Sequence, residues 1–332
     1  MARDIGIDLG TANVLINVSG KGIVLNEPSV VAVDTDKDKV VAVGTEAYKM
    51  VGRTPGNIRV IRPLKNGVIA DFDITEEMLS YFIEKLNVKG FMSKPNILIC
   101  APTGVTSIEQ KAIIQAAEKS GGGRVYLDFE PKVAAVGAGL DIFRPQGNMV
   151  IDIGGGTTDI AVLSMGEIVT SRSLRWAGDK MNQAIASYIK RSKNLLVGQH
   201  TAEQIKIQLG TAFEADPTKT MTVRGRDMVD GLPKQVTINE LEVQKALEDG
   251  LMSIVAATKE VLEQTPPELS ADIIDRGIML TGGGALLKNI DKLITYYLQV
   301  PVLKADEPLE AVANGTGAVS YTHLTLPTTE RV

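Results

Sequence analysis

Short apolar runs broken by small-residue turns dominate the chain, and one such pattern occurs twice. Ile7-Asp8-Leu9-Gly10-Thr11-Ala12-Asn13-Val14-Leu15-Ile16 reads as a β run, a turn and a second β run. Ile151-Asp152-Ile153-Gly154-Gly155-Gly156-Thr157-Thr158-Asp159-Ile160 repeats that plan. Each is followed by another turn, Gly20-Lys21-Gly22 or Met165-Gly166-Glu167, and a third β run, so both halves are predicted to open with a three-stranded meander. Further on, Ile97-Leu98-Ile99 enters Ala101-Pro102-Thr103-Gly104, and the capping box Thr106-Ser107-Ile108-Glu109 starts a helix ending near Ser120-Gly121-Gly122. In the second half Gly277-Ile278-Met279-Leu280 enters Thr281-Gly282-Gly283-Gly284, with a helical spacing at Leu286, Leu287, Ile290, Leu293 and Ile294. The pattern is a duplication, not a short-period solenoid.

The remaining segments read as insertions. The expected architecture is α/β: two duplicated lobes, each with an inserted cap. Residues 1–31 and 73–140 form the first core and 32–72 its cap. Residues 141–179 and 250–319 form the second core and 180–249 its cap, leaving 320–332 as an atypical tail. In the second cap Thr201-Ala202-Glu203-Gln204 reads as a capping box, and a long helix runs from Asn239 to Pro266-Pro267.

Composition narrows the chemistry. The 332 residues are 44% hydrophobic and 23% charged with a net charge of −5, so the chain folds and offers no basic surface for nucleic acid. Cys100 stands alone in an apolar run and there are only two histidines, which disfavours disulfides, thiolate metal clusters and His-based triads. Met1-Ala2-Arg3-Asp4 leads straight into a β pattern, so no signal peptide is expected. No apolar run approaches the ~20 residues that span a bilayer, and a cytoplasmic location follows.

A tight turn between strands exposes consecutive backbone N–H groups, and small residues let phosphate oxygens approach them. Thr11, Ala12 and Asn13 in one turn, and Gly154, Gly155, Gly156 and Thr157 in the other, are therefore candidate phosphate ligands that would grip a polyphosphate from both sides. Asp8 and Asp152 end the strands before these turns. A buried carboxylate calls for a cation, and Mg²⁺ is held through carboxylates, waters and phosphates, so both are candidate metal residues acting through water. The alternative is that one of them caps its own turn. No P-loop motif is present.

Three motifs, Asp8-Leu9-Gly10-Thr11-Ala12-Asn13, Asp152-Ile153-Gly154-Gly155-Gly156-Thr157-Thr158-Asp159 and Leu280-Thr281-Gly282-Gly283-Gly284, resemble the phosphate-1, phosphate-2 and adenosine motifs of the actin/Hsp70/sugar-kinase superfamily. Asn26-Glu27-Pro28-Ser29, Arg53-Thr54-Pro55-Gly56-Asn57, Arg62-Pro63-Leu64-Lys65-Asn66-Gly67 and Arg224-Gly225-Arg226-Asp227 narrow the resemblance to the MreB/Mbl family of bacterial actins. Glu130-Pro131-Lys132-Val133-Ala134-Ala135 is most similar to its Gram-positive Mbl branch. The resemblance runs from residue 1 to about 319. It implies an actin-like ATPase fold, ATP and Mg²⁺ as cofactors, and assembly into paired protofilaments under the cytoplasmic membrane. It further implies partnership with family paralogues and the cell-wall elongation machinery, to maintain rod shape and direct lateral peptidoglycan synthesis.

The resemblance also assigns residues. An acid at a helix start such as Glu130 is by pattern a cap; the resemblance makes it the residue that orients attacking water. Glu203 and Lys206 share a helix face and by pattern form a solvated ion pair. The resemblance places Glu203, Gln204, Ile205 and Lys206 on adenosine, opposite Gly282, Gly283, Gly284 and Ala285. Phe91-Met92, between Lys89 and Lys94, either folds back on the first lobe or, as the resemblance implies, enters the membrane. Two departures stand out. Phe129 occupies a position that is usually acidic, and Ser320-Tyr321-Thr322-His323-Leu324-Thr325-Leu326-Pro327 lacks the expected helical periodicity. Rival readings are a small-molecule kinase, an Hsp70-type chaperone and a nucleotide-sensing scaffold. The first lacks a separate general-base aspartate, and the second lacks a peptide-binding domain after the ATPase pattern.

Overall fold

The computed structural model describes residues 4–86 and 94–325, with side chains to residue 318. Strands β1 (Ile5–Leu9), β2 (Asn13–Val18) and β3 (Gly22–Pro28) form the first antiparallel meander. Next come β4 (Val31–Asp34), β5 (Lys39–Val43), helix α1 (Thr45–Lys49) and β6 (Ile58–Ile61), whose strands pair in the order β5-β4-β6. Asn66-Gly67 then closes a hairpin of β7 (Leu64–Lys65) and β8 (Val68–Ile69), both turn residues at positive φ as a tight two-residue hairpin requires. Helix α2 (Phe72–Lys85) starts where the Asp71 side chain accepts the Ile74 N–H at 3.2 Å. Its Met78, Leu79, Phe82 and Ile83 repeat at one-face spacing and are fully buried, each side chain contributing ~1.5–3 kcal/mol over exposure.

Strand β9 (Ile97–Ala101), helix α3 (Ser107–Lys119) and strand β10 (Val125–Phe129) complete a sheet of order β10-β9-β1-β2-β3, in which β9 runs parallel to both neighbours. The capping box at Thr106 and Glu109 forms as the sequence predicts. Helix α4 (Glu130–Gly137) then leads into the second lobe.

There β11 (Asn148–Ile153), β12 (Thr158–Ser164) and β13 (Glu167–Leu174) repeat the meander. Helix α5 (Gly178–Lys193), strand β14 (Leu195–Leu196), helix α6 (Gln199–Leu209), strands β15 (Thr220–Asp227) and β16 (Pro233–Asn239) and helix α7 (Glu240–Gln264) follow. Asn239 and Glu242 cap α7 reciprocally, and Thr265 ends it before the two prolines. Helix α8 (Pro267–Arg276), strand β17 (Ile278–Thr281), a 3₁₀ turn at Gly283–Leu286, helix α9 (Ile290–Leu298), strand β18 (Val302–Lys304) and helix α10 (Ala311–Thr325) complete the described residues. The second large sheet, β18-β17-β11-β12-β13, matches the first strand for strand.

Each lobe has its own apolar core, around Ile7, Ile16, Phe82 and Ile99 in one and Ile151, Ile160, Ile254 and Leu280 in the other. Between them, Cys100, Ala134, Val150 and Val312 form a third cluster, where α4 and α10 meet backbone to backbone at Gly137 and Gly315. Cys100 is a packed core thiol, and burial pushes its pKa well up.

Four local expectations change. Helix α6 begins at Gln199 with Gly198 as its N-cap, so Thr201 lies inside the helix and does not cap it. The helix predicted from Leu286 begins only at Ile290, because Asn289 is left-handed (φ 60°) and Gly283–Leu286 winds as 3₁₀. The first cap, read as β pieces, also contains the one-turn helix α1, too short for a sequence period. Finally, α10 continues to Thr325, two residues before Pro327, so backbone helicity persists where side-chain periodicity fails.

Candidate functional site

The β1–β2 and β11–β12 turns meet face to face. A Cβ on Gly155 would lie 2.6 Å from Ala12 Cβ, and one on Gly156 would lie 2.4 Å from Thr11 Oγ1, so only glycine permits this approach. The first turn is pinned from behind: the Ser29 hydroxyl donates to Gly10 O at 2.6 Å and the Ser29 N–H to Ala12 O at 2.9 Å. Gly67 on the hairpin tip donates its N–H to Thr11 Oγ1 at 2.9 Å. That hydroxyl is thereby an acceptor toward the protein, and its own proton remains for a ligand. The second turn is held by Gly154 N–H to Thr157 O at 2.9 Å and by the start of α5, whose Asp179 N–H donates to Gly155 O at 2.8 Å.

Acids converge beside these turns. Asp8 and Asp152 are each pushed up to about 7, first by burial, then by a neighbouring carboxylate, Asp152 for Asp8 and Asp159 for Asp152. Burial also raises Glu130, reinforced by Asp159, Asp152 and Asp8. Asp152 Oδ1 is buried with no hydrogen-bond partner. An unpaired buried carboxylate oxygen amid like charges is suited to pairing with a cation. Among the described residues no group of three or more Asp, Glu, His or Cys side chains is spaced to hold a metal ion directly.

Both turns and the side chains of Asp8, Asp152 and Glu130 open into one cavity of about 480 Å³ between the lobes. It is lined by Asp8, Thr11, Ala12, Asn13, Glu130, Asp152, Gly154, Gly155, Gly156, Thr157, Glu203, Lys206, Gly282, Gly283 and Gly284, so most of the sequence candidates come together. Three do not line it. Ile205 is fully buried in the second core, Ala285 within the 3₁₀ turn is buried in that core too, and Gln204 does not line the cavity, its side-chain carbonyl taking the Gln208 side-chain amide. Gly282 holds φ 78°, and a Cβ there would fall 2.4 Å from Asp152 Oδ1, tying the wall loop to the metal candidate.

Sequence reasoning missed further lining residues. Asp179, Met181 and Asn182 come from α5, whose start abuts the second turn; Ile207, Leu286, Leu287 and Leu309 give the far end an apolar wall suited to a flat ring. Gly178-Asp179 after the third β run was the available signal. The loop leucines carry none, because their role depends on the 3₁₀ winding. Phe91 and Met92 lie outside the described residues. No helix among the described residues is long and apolar enough to cross a membrane.

Two sheets of matching order, joined through packed helices around a cleft lined by duplicated turns, define an actin-like two-lobed fold. The chain belongs to the MreB/Mbl family, whose model, described as MreB/Mbl protein, matches residues 2–326. It is 64% identical over 318 residues to the cell shape-determining protein Mbl of Bacillus subtilis (strain 168), covering 96% of each chain. It is also similar to MreB5 of Spiroplasma citri. The crystal structure bound to AMPPNP is 40% identical with a TM-score of 0.93, covering 98% of this chain and 97% of the other. The form bound to ADP is 41% identical with a TM-score of 0.92, covering 97% of each.

Proposed function

We propose that this chain binds Mg·ATP between its lobes, hydrolyses it slowly, and assembles with ATP into filaments. The filaments lie at the inner face of the cytoplasmic membrane, where they guide lateral wall synthesis and maintain rod shape. The observation that carries the nucleotide reading is the direct meeting of the two turns across a cleft that also gathers Asp8, Asp152 and Glu130. Kinship with a cell shape-determining protein, and with a homologue crystallised with ADP and AMPPNP, supports the same reading. In this account the caps span residues 32–72 and 180–249.

Backbone N–H groups of both turns and the Thr11 and Thr157 hydroxyls bind the phosphates. Asp8 and Asp152 hold the hydrated cation, which when bound neutralises phosphate charge. Glu130, at the start of α4, orients the attacking water. Glu203, Lys206 and the Gly282–Gly284 loop flank the nucleoside, and the apolar end takes the base. Phe91 and Met92 provide the membrane contact, weak singly and effective through repetition along a filament.

Sedimentation with Mg·ATP tests the assembly. Polymer should pellet with Mg·ATP and stay soluble without nucleotide; equal sedimentation in both overturns it. Liposome flotation of Phe91→Ser/Met92→Ser tests the membrane arm, which fails if the double variant polymerises and still floats.

A further inference from the structure

Across the mouth of the cleft, the first cap reaches the second at two points. The Tyr48 hydroxyl on α1 donates a short hydrogen bond to Glu203 Oε2 on α6. His200 Nδ1 lies 3.4 Å from the same hydroxyl, and the two rings meet edge-on with centroids 5.9 Å apart. Arg62, directly after β6, is the strongest electrostatic counterweight to the burial that raises Asp179. Its charge also acts on Tyr48 and Lys206. Glu203, Asp179 and Lys206 all line the cavity, whereas Tyr48 and Arg62 do not. Tyr48 therefore holds one acid of the ligand wall without entering the site.

We propose that Tyr48 forms a nucleotide-retaining latch: the first cap closes the cleft by gripping Glu203, and bound nucleotide leaves only when that grip breaks. The latch rests on the nucleotide reading above. Tyr48 is a positioning residue, acting through Glu203. An ordinary tie between caps would add stability to the empty protein, whereas a latch sets the escape rate of the ligand and leaves entry to the open state nearly unchanged. The Tyr48 ring is half-buried against the small cluster of Val30, Ala32 and Ala47, so its hydroxyl is presented from an anchored side chain at the cap edge.

The test is release of radiolabelled ATP from the full chain in Mg²⁺, below the assembly concentration, chased with unlabelled ATP. Tyr48→Phe should release ATP about tenfold faster, the equivalent of one charge-assisted hydrogen bond. Its association rate should stay within about twofold, because entry precedes closure. Tyr48→Phe/Glu203→Gln should release no faster than the faster single variant, since both break one contact. Release from Tyr48→Phe at the parent rate, or multiplication of the Tyr48 and Glu203 effects, overturns the latch. A lowered melting temperature of empty Tyr48→Phe with unchanged release likewise makes the contact structural and overturns it. Failure of the parent to bind ATP at all overturns the nucleotide reading itself, a distinct result.

Discussion

The loops after β9 and β17 occupy the same place in the duplicated plan and do opposite things. After β9, Thr103 reaches out of its own lobe: its N–H and its hydroxyl both donate to Asp159 Oδ1 on β12, each at 2.8 Å. After β17, the Gly282 loop folds back on its own lobe, against Asp152 and Ile153, and lines the cavity. The difference starts one strand away. Asp152 pairs in register with Asp159, whereas its counterpart Asp8 pairs with Leu15. Duplication supplied two equal frames, and one acid-for-leucine difference gave the second lobe an anchor for the first. One loop became a tie between lobes and the other became the wall of the site.

The largest effects should come from removing what the lobes still share. Asp8→Ala and Asp152→Ala should each abolish measurable Mg·ATP binding by calorimetry, because each removes a carboxylate from the cation's outer shell. Full affinity in either would mean that the turn on that side does not hold the metal. Glu130→Ala, which belongs to neither turn, should retain binding and slow phosphate release by about 100-fold or more, within the range of acid–base catalysis. Unchanged release would reduce Glu130 to a helix cap.

Asp159→Leu copies the residue of the first lobe into the second and tests the asymmetry itself. It strands the Thr103 donors, so urea unfolding should show a loss of about 1–3 kcal/mol, while Asp159→Asn, which keeps an acceptor, should lose less. Equal losses would show that the tie between lobes contributes little.

The frame and the shared chemistry were legible in the chain because they repeat. Both meanders, the two turns and both aspartates announce themselves by echo, and the caps at Thr106 and Asn239 by local hydrogen-bonding grammar. The asymmetric parts were not legible. Nothing near Thr103 says that its partner lies 56 residues away, and Leu286 and Leu287 look like helix face until a 3₁₀ turn presents them to the cavity. Ile205 was read as a ligand with its helical neighbours, although its spacing from Ala202 and Leu209 marks the buried face. Tyr48 sits on a helix too short to leave a period.

A dependence on pH follows as well. Asp8 and Asp152 each titrate near 7 in the fold against 3.8 for the free side chain. Their folded values are raised, so the native state holds more protons between these limits, and stability of the empty protein should fall as pH rises from about 4 through about 7. A bound cation offsets that loss, so the melting shift given by Mg·ATP should be greater at pH 8 than at pH 6. Asp152→Asn should flatten the slope of the empty protein. A slope that the substitution leaves unaltered would place the titration elsewhere.

The central claim is that two facing turns, one from each lobe, grip a polyphosphate. Calorimetric titration of the parent chain with AMP, ADP and ATP, each with and without Mg²⁺, tests it most directly. Affinity should climb steeply from AMP through ADP to ATP, and chelating Mg²⁺ should remove most of the gain. AMP binding as tightly as Mg·ATP would show that the nucleoside end holds the ligand alone, and would contradict the two-sided grip.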